Sequence, residues 1–410
     1  MTVDSKRLWN GRPFRAFHLT VRPVGDRCNL NCTYCPYHDP EGDDPGQMMS
    51  LQDLEHTISQ AFAGQNTSRY VFSWQGGEPL LVGQGFLEEA LALQKQYAPA
   101  QAEIVNEIQT NGLLLDGEWC DFLRTRHFRV ALSADGPLAV HDVFRRDREG
   151  KGTARRVLQA ALLLHQHRVP FTALVAVNRA TARDPEGVYE YVHRQLRASA
   201  MHFIPIIERR NAAEVAPGKW TNRDLRSVGN PQLRPSKTGL ITDWSVGFDE
   251  YGEFMKRIFE IWRQEDVGKV VIPTFDALLA QWLDEPTRFC EMGETCGSSL
   301  VVDWDGTVYS CPLFLYPDYA IGNIRERSLG ELAVSPEQTA FGKAKADISE
   351  DCQKCEFLFA CHGGCPRRRF ARTSRGQAID MLCPSLVALN RHVGPYFRVF
   401  AESVKDNLSS

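Results

Sequence analysis

The chain has 410 residues, 43% of them hydrophobic, with 47 basic and 51 acidic side chains and a net charge of −4. That allows a large core in one big domain or two to three smaller ones, and it excludes a global electrostatic pull toward nucleic acid or anionic membrane. The N-terminal stretch has no long apolar segment and no run of about 18 apolar residues occurs anywhere, so the expectation is a cytoplasmic protein with neither a membrane nor a nucleic-acid partner.

In chain order, short β-rich runs at 17–24, 70–75, 103–110, 128–135, 171–178 and 200–207 alternate with helical patterns. Those patterns, at 51–63, 85–98, 154–167 and 185–198, repeat apolar residues at spacings of three and four. Alternation of this kind implies parallel pairing through right-handed crossovers. Six units in the first half fit an α/β fold built on a partial (β/α)6 TIM-like barrel, because a closed barrel takes about 250 residues. Residues 208–247, rich in Arg, Gly, Pro and Asn, read as a long irregular connection. Helical patterns follow at 250–264 and 274–283, then a hairpin at 299–311 with its turn at Asp305-Gly306. A terminal helix after residue 384 is expected to break near Gly394-Pro395. The resulting division is 1–240, a linking pair of helices at 241–289, and a cysteine-rich C-terminal domain at 290–410.

Twelve cysteines in a chain expected to stay reduced point to metal ligands rather than disulfides. Cys120 lies alone on an amphipathic pattern and reads as a small core residue. Cys28, Cys32 and Cys35 form C-x3-C-x2-C just after the first strand, on the C-terminal rim where barrel active sites are built. Four cysteines normally hold an Fe–S cluster; three leave one iron open. A zinc knuckle completed by His38 or Asp39 is the alternative. The other strand ends carry "QGGEP" (75–79), "QTNG" (109–112) and "SADG" (133–136). Their glycines let backbone come close to a ligand, and Glu78 suits an ammonium group. Eight more cysteines, Cys290, Cys296, Cys311, Cys352, Cys355, Cys361, Cys365 and Cys383, suffice for two four-ligand sites, either zinc or Fe–S by spacing alone. The arginine run at 366–375 reads as a solvated face or a contact for substrate carbonyls.

With "CNLNCTYC", "GGEP" and "SADG" on one rim, the sequence resembles the radical S-adenosylmethionine (radical SAM) superfamily. The resemblance implies that Cys28, Cys32 and Cys35 hold a [4Fe-4S] cluster whose open iron chelates the amino and carboxylate groups of SAM. Reductive cleavage of SAM then yields a 5′-deoxyadenosyl radical that takes a substrate hydrogen. Gly76, Gly77 and Glu78 correspond to contacts of the methionyl amino group. Ser133 and Arg145 correspond to contacts of the carboxylate and ribose, and Tyr34 and Ile207 to contacts of the adenine.

The C-terminal spacing resembles the SPASM domain, which carries two auxiliary [4Fe-4S] clusters and brings the implied total to three. The resemblance assigns Cys290, Cys296, Cys311 and Cys365 to one and Cys352, Cys355, Cys361 and Cys383 to the other. Across the chain, "FSWQGGEPLL", "MHFIPIIER", "VVDWDGTVYSC" and "YAIGNIRERSLGEL" are similar to the anaerobic sulfatase-maturating enzymes. Those oxidise a Cys or Ser of a sulfatase to Cα-formylglycine. The likeness implies a peptide or unfolded-protein substrate and a low-potential donor such as flavodoxin or ferredoxin. It also puts Tyr37 and Gln75 in the peptide site. One departure stands out. The family has an Asp as general base directly after the third auxiliary cysteine, and here that residue is Pro312. Asp318, Tyr37 or a water is left as proton acceptor. The alternative activity is a C–C, ether or thioether cross-link in a ribosomally made peptide.

Overall fold

The computed structural model describes residues 16–35, 37, 48–209, 241–287 and 289–409, with the backbone of 8–9 and 12–13. His38, Asp39 and most of the expected connection at 208–247 lie outside the described residues.

Among the described residues nine strands make one sheet. Six come from the first half: β1 (His18–Arg22), β2 (Arg69–Trp74), β3 (Glu103–Thr110), β4 (Arg129–Ser133), β5 (Phe171–Val177) and β6 (Ala200–Pro205). They lie side by side in chain order and all neighbouring pairs are parallel, with Leu19 opposite Phe72 and Leu132 opposite Ala173. The crossovers are α1 (Leu51–Ala63), α2 (Gln84–Tyr97), α3 (Gly117–Thr125), α4 (Leu138–Phe144), α5 (Ala154–Gln166) and α6 (Pro185–Glu190). This is the expected partial barrel. The helices form for local reasons. Ser50 caps α1 by accepting the Asp53 N–H at 3.0 Å, and Leu54, Ile58, Ala61 and Phe62 recur at helical spacing and are buried. Each such large apolar side chain contributes about 1.5–3 kcal/mol on burial. Cys120 is fully buried on α3, as a core residue should be.

Two expectations need correction. The pattern at 185–198 stays α-helical only to Glu190 and then widens into a π turn over Tyr191–Gln195. The Leu196 N–H reaches Tyr191 O at 2.9 Å, and Val192 and Leu196 are both fully buried. The second correction concerns the end of the chain.

The C-terminal half begins with α7 (Glu250–Glu265) and α8 (Pro273–Trp282), each within a residue of expectation. A strand β7 (Ser299–Asp303) then pairs parallel to β1, followed by β8 (Thr307–Tyr309) and β9 (Ala320–Asn323), both antiparallel to their neighbours. Gly306, at φ +82°, makes the β7–β8 turn where Asp305-Gly306 was expected. The cysteine-rich region therefore continues the barrel sheet. Its small helices are α9 (Leu329–Ala333), α10 (Pro336–Ala344), α11 (Glu350–Gln353) and α12 (Leu358–Cys361). The last helix, α13, runs unbroken over Cys383–Ser409 with Pro395 inside it. An interior proline costs about 3 kcal/mol, and packing offsets it. Phe397 meets Phe259 of α7 at 5.6 Å between ring centroids, and Gly394 has no Cβ where one would come within 2.8 Å of Trp282 on α8. No helix among the described residues is long and apolar enough to cross a membrane.

Candidate active site

The three-cysteine loop leaves the end of β1 and is tied down on both sides. On one side, the Gly77 N–H donates to Gly25 O at 2.8 Å and the Glu78 N–H to Arg27 O at 2.9 Å. A Cβ on Gly77 would sit 2.0 Å from Arg27 O, and Gly76 adopts φ +125°, where a Cβ would come within 2.7 Å of Gly25 O. The glycines of "GGEP" thus admit the backbone that carries the cysteines. On the other side, the Asn31 N–H donates to Arg146 O and the Thr33 N–H to Phe144 O, at 2.8 and 3.1 Å. Arg148 donates through Nε to Cys28 O at 2.9 Å. Asn111, at the end of β3, reaches Asn29 Oδ1 at 2.7 Å and Cys28 Sγ at 3.7 Å.

Cys28, Cys32 and Cys35 are brought together closely enough for their charges to interact. Burial pushes the Cys28 thiol up to about 12, with Glu78 adding to it, and burial raises Cys32 and Cys35 too. Neutral thiols ligate poorly, so this donor set suits a strongly cationic group that holds them as thiolates.

Beside the loop lies a buried polar knot. Glu78 is fully buried; its Oε1 accepts from Leu80 N at 3.1 Å and Thr110 Oγ1 at 2.8 Å, and its Oε2 accepts from Asn111 N at 2.8 Å. Burial raises its carboxyl to about 7, against the pull of those bonds. A carboxylate has about four acceptor positions, so one is left for an ammonium. The Tyr34 hydroxyl donates to Asp135, and the Arg145 guanidinium stands 5.4 Å from the Tyr34 ring and 3.0 Å from Asp135 Oδ1. His141 accepts the Asp135 N–H on Nδ1 at 3.2 Å. Its Nε2–H faces Thr153 Oγ1 at 3.0 Å, and that hydroxyl donates to Arg145 O at 2.9 Å. Burial holds His141 neutral, with its pKa lowered to about 4. Ser133, at the end of β4, and Ile207, past the end of β6, are both buried; Ile207 belongs to the main apolar core. Asp135, His141 and Asn111 are the residues that the sequence did not single out. Asp135 and Asn111 lie inside the quoted "SADG" and "QTNG", where attention went to the glycines.

Tyr37 faces the second cysteine region, and Gln75 sits at the end of β2. The Tyr37 hydroxyl donates to Pro312 O at 3.0 Å, and Arg22 lies 5.1 Å from its ring. Burial pushes this phenol up to about 12. Gln75, half-buried, donates through Nε2 to Ser73 Oγ at 2.8 Å. Near them Arg367 pairs with Glu208 at 2.5 Å, and its Nη2 lies 3.4 Å from the Tyr316 hydroxyl. The charge of Arg367 is also felt at Tyr37. Burial raises the Glu208 carboxyl against the pull of Arg367. Asp318 is exposed.

The eight remaining cysteines fall into two neighbourhoods. Cys311 interacts with Cys290, Cys365 and Cys296, and Cys296 with Cys290 and Cys365. Cys383 interacts with Cys361, Cys352 and Cys355. Burial pushes Cys290 and Cys361 to about 11 and Cys296 and Cys383 to about 12. Among the described residues no three His, Cys, Asp or Glu side chains converge as ligands of a single ion. The arginines at 367–369 are not a solvated face. Arg368 is buried between Asp380 at 3.1 Å and Glu291 at 2.9 Å, and Arg369 donates to backbone carbonyls.

Comparison with known proteins sharpens this picture. Residues 23–192 match the radical SAM superfamily and 290–356 an iron–sulfur cluster-binding domain, the SPASM domain. The serine-type anaerobic sulfatase-maturating enzyme of Bacteroides thetaiotaomicron is 37% identical over 94% of this chain and 91% of its own length. The chain belongs to the anaerobic sulfatase-maturating enzymes. The serine-type sulfatase-maturating enzyme of Klebsiella aerogenes is 31% identical over 94% of this chain and 85% of its own. The solved structure of anSMEcpe with bound AdoMet and a peptide, Cp18Cys, superposes with a TM-score of 0.80 at 29% identity, covering 94% of this chain and 99% of that one. SuiB of Streptococcus suis, solved with a precursor peptide, shares only the fold, at 13% identity and a TM-score of 0.60. This sulfatase-maturating enzyme is accordingly a radical SAM enzyme that uses SAM and [4Fe-4S] clusters.

Proposed function

We infer that the enzyme oxidises the side chain of a Ser or Cys in a sulfatase-derived peptide to Cα-formylglycine. The observation that carries this is the 37% identity sustained over 94% of the chain to a serine-type maturase. The cross-link alternative has no such support, since the precursor-peptide enzyme shares fold alone.

In this reading Cys28, Cys32 and Cys35 hold the first cluster, which when loaded with SAM and an electron supplies the radical that removes a Cβ hydrogen. The chain's own residues do the rest. Glu78 offers its remaining acceptor position to the ammonium of SAM. Tyr34, Asp135 and Arg145 fix one wall, with Arg145 positioned by the neutral His141 through Thr153. Ser133 and Ile207 close that wall, and Gly76 and Gly77 hold it against the cysteine loop. Tyr37 and Gln75 line the path of the peptide toward Pro312.

Pro312 has no side chain able to accept a proton. Glu208 takes that role in this reading. It is a carboxylate raised by burial and held by Arg367 beside Tyr316, and Arg367 is in turn felt at Tyr37. The substrate hydroxyl or thiol would give its proton to Glu208, and the electron left after loss of the Cβ hydrogen would pass toward the auxiliary cysteines. Those are Cys290, Cys296, Cys311 and Cys365 for one cluster and Cys352, Cys355, Cys361 and Cys383 for the other. A ferredoxin or flavodoxin supplies the first electron, and the reducing cytoplasm is the compartment that keeps such ligands as thiolates. The test is anaerobic incubation of the reconstituted enzyme with SAM, a low-potential reductant and a sulfatase-motif peptide. A hydrazine-reactive aldehyde is expected; SAM cleavage with the peptide unchanged overturns the reading.

A further inference from the structure

Lys345, just after α10, is fully buried. Its ammonium donates to Gly293 O and, at 3.4 Å, to His362 O. The ionisable groups it feels are Cys296, Cys361, Cys290 and a second cation, Arg369. No carboxylate pairs with it among the described residues. Arg369 is in the same position. It donates to Gly363 O and Asp347 O, both at 3.0 Å, and to His362 O at 3.3 Å.

Both cations thus clasp residues 362–364, the link from Cys361 of one cysteine group to Cys365 of the other. His362, Gly363 and Gly364 have φ of +46°, +74° and +66°. Three left-handed residues in succession are costly for the histidine, and they leave carbonyls of the link bonded to Lys345 and Arg369. Arg368, Asp380 and Glu291 close on one another with one negative charge in excess, and among the described residues neither carboxylate pairs with Lys345 or Arg369. A buried ammonium beside a second cation is costly unless anions compensate. The anions that act on Lys345 itself are Cys296, Cys361 and Cys290, as thiolates carrying clusters of net negative charge.

We propose that Lys345 and Arg369 form a cationic bridge between the two auxiliary clusters and raise the reduction potential of both. Added positive charge near an Fe–S cluster favours its reduced form. The bridge therefore draws the substrate's electron toward the SPASM side. The inference rests on the reading of the eight cysteines as ligands of two clusters.

The test is a potentiometric titration, followed by electron paramagnetic resonance, of the reconstituted full-length enzyme without substrate. A Cys32→Ala background removes the first cluster's signal. Lys345→Met and Arg369→Gln are each expected to lower the auxiliary midpoints, whereas Lys345→Arg leaves them in place. Unchanged midpoints in Lys345→Met at full iron content overturn the proposal. Iron lost in Lys345→Met and restored in Lys345→Arg supports it, because charge and not shape is then required. Iron lost in both overturns it. About four irons per chain in the enzyme with all its cysteines, in place of about twelve, removes the cluster reading itself and is told apart by that count alone.

Discussion

Glu208 and His141 show how a single buried group is set by what faces it. Glu208 is raised by burial and restrained by Arg367. If it accepts the substrate proton, Glu208→Gln lowers the rate of aldehyde formation about 10²–10⁴-fold. Cleavage of SAM, counted as 5′-deoxyadenosine, should continue. A parallel fall in both rates would make Glu208 a structural partner of Arg367 and nothing more. His141 sits lower in the folded protein, at about 4, than in an unfolded chain, at 6.5. Its sign follows directly. Above pH 6.5 both states are neutral and the contribution is fully present. As pH falls toward 4, the unfolded chain takes a proton that the folded one refuses, and stability drops by up to about 3 kcal/mol. Thermal unfolding of the reconstituted enzyme between about pH 7.5 and about pH 6 should show that slope, and His141→Asn should flatten it. Neither residue was legible from the sequence, since a lone His or Glu carries no spacing signal. Only the fold brings Glu208 to Arg367, 159 positions away.

At the scale of elements, loops and helices are fixed by close approach. Gly77 leaves room for Arg27 O, and Gly77→Ala would bring a Cβ within 2.0 Å of it. That clash shifts the base of the cysteine loop. Iron should fall from about twelve toward about eight per chain, while Gly85→Ala, with open space around it, keeps full iron. Retention of all iron in Gly77→Ala would mean that the loop tolerates a different path. On α13, Gly394→Ala pushes a Cβ against Trp282 and should cost about 1–3 kcal/mol of overpacking, read as a lower melting temperature. The strands and helices of the barrel were legible because apolar spacing at two or at three and four decides them. The break expected at Gly394-Pro395 was not realised because the contacts with Trp282 and Phe259 are long-range.

Across the whole molecule, the cysteine-rich region is part of the barrel sheet. β7 lies parallel to β1, with Val302 opposite Val21. This pairing carries Cys311 and Pro312 over to Tyr37, so the cysteine loop and the second cysteine region meet there. The sequence made both cysteine regions visible through spacing, and the resemblance in its motifs pointed to the right family. It could not disclose that the hairpin at 299–309 joins strand one, because a parallel pairing 281 residues apart leaves no local mark. The same limit hid the enclosure of Lys345.

The central claim is that one hydrogen abstraction at Cβ is followed by proton loss and electron loss to give an aldehyde. The most direct measurement is the ratio of 5′-deoxyadenosine to hydrazine-trapped aldehyde formed from a sulfatase-motif peptide, with the peptide's Cβ hydrogens replaced by deuterium. One aldehyde for each 5′-deoxyadenosine, with deuterium carried into the 5′-deoxyadenosine, is predicted. 5′-Deoxyadenosine without deuterium, or a deuterium-labelled product that contains a new cross-link and no aldehyde, would contradict the account.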